Sequence, residues 1–78
     1  MDYDCRITGR ILRGLREKQG LTQEVLSGLA AVSRSHLAEI ESGATSANVR
    51  TLWKISQALG LKLSELIRMV ERETEGPD

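Results

Sequence analysis

An all-α fold is predicted by three features of the chain. Apolar residues recur at helical spacing in one segment after another, and the segments open on small polar caps or close on glycine. No stretch shows the alternation of a strand. With 78 residues, 40% of them hydrophobic, and Tyr3 and Trp53 as the only aromatics, there is material for one aliphatic core and one domain. The expected architecture is five short helices, the last one extended. They occupy residues 6–74, between an N-terminal tail, 1–5, and a C-terminal tail, 75–78.

The first helix is expected over residues 6–19, where Ile7, Ile11, Leu12 and Leu15 form a stripe between four arginines. Gly9 and Gly14 each weaken it by about 1 kcal/mol relative to alanine. Gly20 stops it, behind Lys18, whose charge suits a helix C-terminus. Thr22 caps the second helix and Glu24 sits in its first turn. That helix ends near Leu29 or Ala30. Only Ala31 and Val32 separate it from a third helix, capped by Ser33, running to Ser42 and ended by Gly43, so the two must cross steeply. Asn48 caps the fourth helix, Val49 to Leu59, whose inward stripe is Val49, Leu52, Ile55, Ala58 and Leu59. The fifth starts near Leu63, carries Leu63, Leu66, Ile67 and Val70, and continues to Glu73 or Thr74.

Composition removes several function classes. No apolar run is long enough for a bilayer and the N-terminus lacks a signal peptide's apolar centre, so a cytoplasmic protein with no membrane contact is expected. Cys5 is the only cysteine and His36 the only histidine, which leaves neither an intrachain disulfide nor a metal site, and no cofactor is implied. No nucleophile–base pair or glycine-rich phosphate loop suggests an enzyme. The net charge is zero but uneven: five basic residues against one acid between Arg6 and Lys18, and four acids against one base from Glu71 onward. Local potential, more than the sum, decides what a polyanion meets.

The stretch from Thr22 to Gly43 carries the chemistry. At 100° per residue Leu37 and Ile40 turn inward, and the opposite face holds Ser35, Ala38, Glu39 and Ser42 with Arg34 beside them. Small residues there let a helix approach a groove floor. Arg34 can then reach guanine O6 and N7, or a phosphate, and Glu39 can accept from cytosine N4. Gln23, with the N-terminal amides of its helix, is placed to donate to a phosphate.

Three segments, G-R-I-L-R-G-L-R-E-K-Q-G-L-T-Q-E-V-L, V-S-R-S-H-L-A-E-I-E-S-G and T-L-W-K-I-S-Q-A-L-G-L, resemble the Cro and lambda-repressor class of helix-turn-helix proteins, the xenobiotic response element family. The resemblance covers Gly9 to Ile67 and implies a five-helix lambda-repressor-like DNA-binding domain with its motif at 23–42. It implies base contacts from Arg34, Ser35 and Glu39, phosphate contacts from Gln23, Ser33, Gly43, Ala44 and Thr45, and an ion pair between Arg16 and Glu41. The chain departs from the family pattern at Ala31, where the turn commonly has glycine, and at Lys62, where a serine or aspartate commonly caps the fifth helix. Leu29 and Trp53 are apolar at positions often polar, which is either plain packing or, for Trp53 with the extended fifth helix, a subunit interface.

One such module buries too little surface to be highly specific alone. A homodimer reading a pseudo-palindromic double-stranded DNA operator is therefore expected, with Leu66, Ile67, Met69 and Val70 as its interface. The function implied is that of a prokaryotic or phage transcriptional regulator, a repressor acting by occupying its operator. The alternative is a module that binds a partner protein, as the antitoxin of a toxin–antitoxin pair does, with exposed Leu29, Ile11 and Trp53 as its docking residues.

Overall fold

The structure, a computed structural model, describes residues 2–76. Met1, Pro77 and Asp78, which belong to the two expected tails, lie outside the described residues. Among those described are five helices and no strand: α1 (Cys5–Lys18), α2 (Gln23–Ala30), α3 (Arg34–Ser42), α4 (Val49–Ala58) and α5 (Leu63–Glu75). None is long and apolar enough to cross a membrane.

Each helix begins where a side chain satisfies a free amide. The Asp4 carboxylate accepts the amide of Arg6 at 2.9 Å, which starts α1 one residue earlier than expected and takes Cys5 out of the tail. Thr22, Ser33 and Asn48 accept from Val25, His36 and Thr51 at 3.1, 3.0 and 2.8 Å. Lys62 offers no acceptor. Instead the Glu65 carboxylate takes the amide of Lys62 at 3.0 Å, so the start of α5 is held from three residues inside it. The same helix continues to Glu75, beyond the expected boundary of the tail.

The helix ends are equally explicit. At Gly20, φ +71°, the chain turns left-handed, and the amides of Gly20 and Leu21 reach the carbonyls of Glu17 and Arg16 at 3.0 and 3.1 Å. Ala31 does the same at the end of α2, with φ 56° and ψ 44°, despite its Cβ. Val32 then donates to the Ser27 carbonyl at 3.0 Å, which makes the bend between α2 and α3 as tight as the two-residue spacer requires.

Leu12, Leu26, Leu37, Ile40, Leu52, Ile55, Leu59 and Leu66 form one buried cluster. Two expectations about it need correction. Val49, placed on the inward stripe of α4, is exposed, because the cluster is already closed there by Leu52 and Ile55. Leu66 and Val70, placed on the dimer surface, are 0% and 5% accessible. α5 packs against both α1 and α4, so its i, i+4 pair 66/70 points into the domain, while Ile67 and Met69 remain on the outside.

α1 and α3 touch through backbone. A methyl group at Gly9 would overlap the carbonyl oxygen of Ile40 and stand 2.6 Å from that of Glu41. Gly43, φ +80°, is packed the same way against Arg6. Gly9 is thus a contact residue, whereas Gly14 faces open space.

Candidate nucleic-acid interface

α3 has two faces. Leu37, Ile40 and Glu41 are buried, while Arg34, Ser35, Glu39 and Ser42 are exposed and His36 and Ala38 lie between. The exposed face carries no large apolar side chain, so a polar groove floor can approach it without stranding hydrophobic surface.

What holds that face in place is a buried ion pair. The Arg16 guanidinium donates to Glu41 Oε2 through Nε at 2.8 Å and to Oε1 through Nη2 at 2.9 Å, with only 11% and 2% of the two side chains accessible. The remaining Nη1 donates to the Leu21 carbonyl at 2.8 Å. Hydrogen bonding to Glu41 raises the Arg16 pKa above its ordinary value against the opposing effect of burial, so the group stays charged. A third donor completes the cluster: Gln23 Nε2 reaches Glu41 Oε1 at 3.1 Å. The first residue of α2 is therefore tied to the body of α3.

Around this cluster a groove of ≈ 590 Å³ opens between α1, α2 and α3. Its walls include Arg13, Arg16, Gln23, Glu24, Arg34 and Glu41, three arginines against two glutamates. Arg16 and Glu41 neutralise each other and Arg13 is held by the exposed Glu17 at 3.2 Å, which leaves Arg34 and Glu24 as the charges at the opening outside the described ion pairs. Residues assigned from sequence to base reading (Arg34) and to phosphate contact (Gln23) share one concavity.

Other site residues are distributed less simply. Ser33 is exposed, with its hydroxyl oxygen accepting from His36 at the start of α3. The amides of Gly43 and Ala44 are already donated to Ile40 and Glu39 at 3.1 and 2.9 Å, as the α3 termination requires. Those two amides are therefore already committed within the chain. Sequence reasoning missed the tether from Gln23 to Glu41 and the seat that Gly9 and Arg6 give the end of α3. A glycine inside an otherwise regular helix was the one available signal.

Two short helices joined by a tight turn, a polar outward helix and a partly basic groove at its side define a helix-turn-helix protein of the kind that reads duplex DNA to regulate transcription. The helix-turn-helix family model matches residues 12–66, and the chain belongs to that family. It is similar to the control protein C.MunI of Mycoplasma sp, with 32% identity over 72 residues, 92% of this chain and 97% of the relative. It is 34% identical over 62 residues, 80% of each chain, to the HTH-type transcriptional regulator y4dJ of Sinorhizobium fredii. Among solved structures, the restriction-modification controller protein C.AhdI from Aeromonas hydrophila superposes with a TM-score of 0.78 at 33% identity, over 81% of this chain and 96% of that one.

Proposed function

We propose that this protein is a homodimeric transcriptional regulator of the controller type, acting in the cytoplasm by occupying a pseudo-palindromic operator and catalysing no reaction. The observation that carries this reading is the outward face of α3, which presents Arg34, Ser35 and Glu39 while Glu41, on its inner side, is locked to Arg16 and Gln23. In a major groove Arg34 pairs with guanine O6 and N7, and Glu39 accepts from cytosine N4 while repelling misplaced phosphates. Gln23, Ser33 and Thr45 lie on the flanks, where backbone contacts set the register. The near full-length likeness to two controller proteins supports the controller assignment.

The dimer surface moves from the expected stripe to the groove between α4 and α5. Trp53 is 56% exposed there, next to Leu63 and Ile67. Lys62 and Arg68 line the same groove as Glu71, so a two-fold axis can set basic groups of one copy against the acid of the other. Sedimentation of Trp53→Glu and Ile67→Glu should show monomers, with Met69→Glu, on the α1 side of α5, as the control. Unchanged dimerisation in the first two rejects this surface.

Selection of bound duplexes from a random pool tests the function itself. A pseudo-palindrome is expected, and Arg34→Ala should cost about 1–3 kcal/mol and relax preference at one base pair per half-site. A folded dimer that selects no sequence refutes the reading.

A further inference from the structure

We infer that Arg13, on α1, is an additional DNA-backbone contact, released from Glu17 to a phosphate entering the groove between α1, α2 and α3. This rests on the DNA-binding reading above and adds a contact outside the helix-turn-helix unit. Arg13 lines the groove together with Gln23 and Arg34, the residues placed at the phosphates and bases. Its present partner is Glu17, four residues along the same helix, at 3.2 Å through Nε alone. Both side chains are largely exposed, and such a pair holds an arginine weakly. Arg16, by contrast, spends its guanidinium on Glu41 and Leu21 and has little left to offer a ligand.

The charges in the groove favour the exchange. Glu24 is the acid facing the opening that has no basic partner among the described ion pairs, and Arg34 lines the same groove. A phosphate seated between Arg13 and Arg34 gains two cations against one acid. Its other oxygens meet the N-terminal end of α2, where Gln23 and the first-turn amides lie. Glu17 then acts as a competitor that keeps Arg13 off the DNA until a phosphate displaces it. The weak exposed pair thus becomes a setting on non-specific affinity.

The test is duplex binding over a range of salt, with the selected operator and with an unrelated sequence. Arg13→Ala should weaken both about eightfold per bound subunit at 0.1 M salt, roughly sixtyfold for a dimer, and make the slope of log K against log salt shallower by about 0.9 per subunit. Arg13→Lys should restore most of that slope, since a phosphate contact needs the charge more than the fork. Glu17→Gln should tighten binding roughly twofold to threefold when Arg13 is present, and much less in the Arg13→Ala background. An unchanged slope in Arg13→Ala, or equal tightening by Glu17→Gln in both backgrounds, overturns the assignment while leaving the regulatory reading standing. A wild-type chain that binds no duplex overturns both.

Discussion

Replacing Gly9 and Gly14 by alanine, one at a time, tests how α1 seats α3. The two glycines lie in the same helix, five residues apart, and by propensity alone each substitution should stabilise by about 1 kcal/mol. The structure separates them. At Gly14 the new methyl meets nothing within 4 Å, so the propensity gain survives. At Gly9 it overlaps the Ile40 carbonyl oxygen and lies 2.6 Å from that of Glu41. An ordinary carbon–oxygen approach is about 3.3 Å or more, so α1 and α3 must part by roughly 1 Å to clear the Ile40 oxygen. Both offending atoms are backbone, and no rotamer can move them aside. Overpacking of this kind costs about 1–3 kcal/mol, and here it should reach the upper part of that range, leaving a net loss of about 2 kcal/mol. For a domain of this size 1 kcal/mol moves the melting temperature by about 4–8 °C. Thermal unfolding by circular dichroism at matched protein concentration should therefore show Gly14→Ala about 5 °C above wild type and Gly9→Ala about 10 °C below. Gly9→Ala should also bind operator more weakly at temperatures where it is folded, because Glu41 and the end of α3 are displaced. A Gly9→Ala protein as stable as Gly14→Ala refutes the backbone contact.

Three further outcomes follow from single residues. Ala31→Gly should stabilise the fold by about 1 kcal/mol in urea melts, because Ala31 occupies φ 56° where only glycine is free of Cβ strain; no gain would mean the strain is absorbed elsewhere. Glu41→Ala leaves Arg16 buried without its carboxylate and Gln23 without its acceptor, and should cost about 3–5 kcal/mol, whereas the double variant Arg16→Met, Glu41→Leu should recover most of the loss. Asp4 has its pKa lowered by the side-chain hydrogen bond from Arg6 and by the Arg6 amide. Its contribution is therefore present at neutral pH and is lost as pH falls below the unfolded value of 3.8 and through the lower folded one. Asp4→Asn keeps the cap and should flatten that part of the stability–pH curve, as acid titration of the melting temperature would show.

Much of this molecule is legible in its residues because the signals are local. A cap side chain bonds an amide two or three positions away, and a terminal glycine answers to its own φ. Thr22, Ser33, Gly43 and Asn48 therefore mark helix ends where the structure has them. The outward face of α3 follows from the same periodicity, since Leu37 and Ile40 leave only one side for Arg34, Ser35 and Glu39. Phase within a helix is less secure when both sides hold apolar residues. On α5 Leu66, Ile67, Met69 and Val70 look alike in sequence, and only packing against α1 and α4 sorted Leu66 and Val70 inward and Ile67 and Met69 outward. The sequence by itself determined five helices, the caps of α2, α3 and α4, and which side of α3 faces outward, because all of these rest on interactions within a few residues. Tertiary structure alone decided that Gly9 is a contact, that Gln23 is tethered to Glu41, and that Arg13 opens on the same groove as Arg34. Those relations join residues 18 to 32 positions apart, and they exist only once helix crossing brings three segments together.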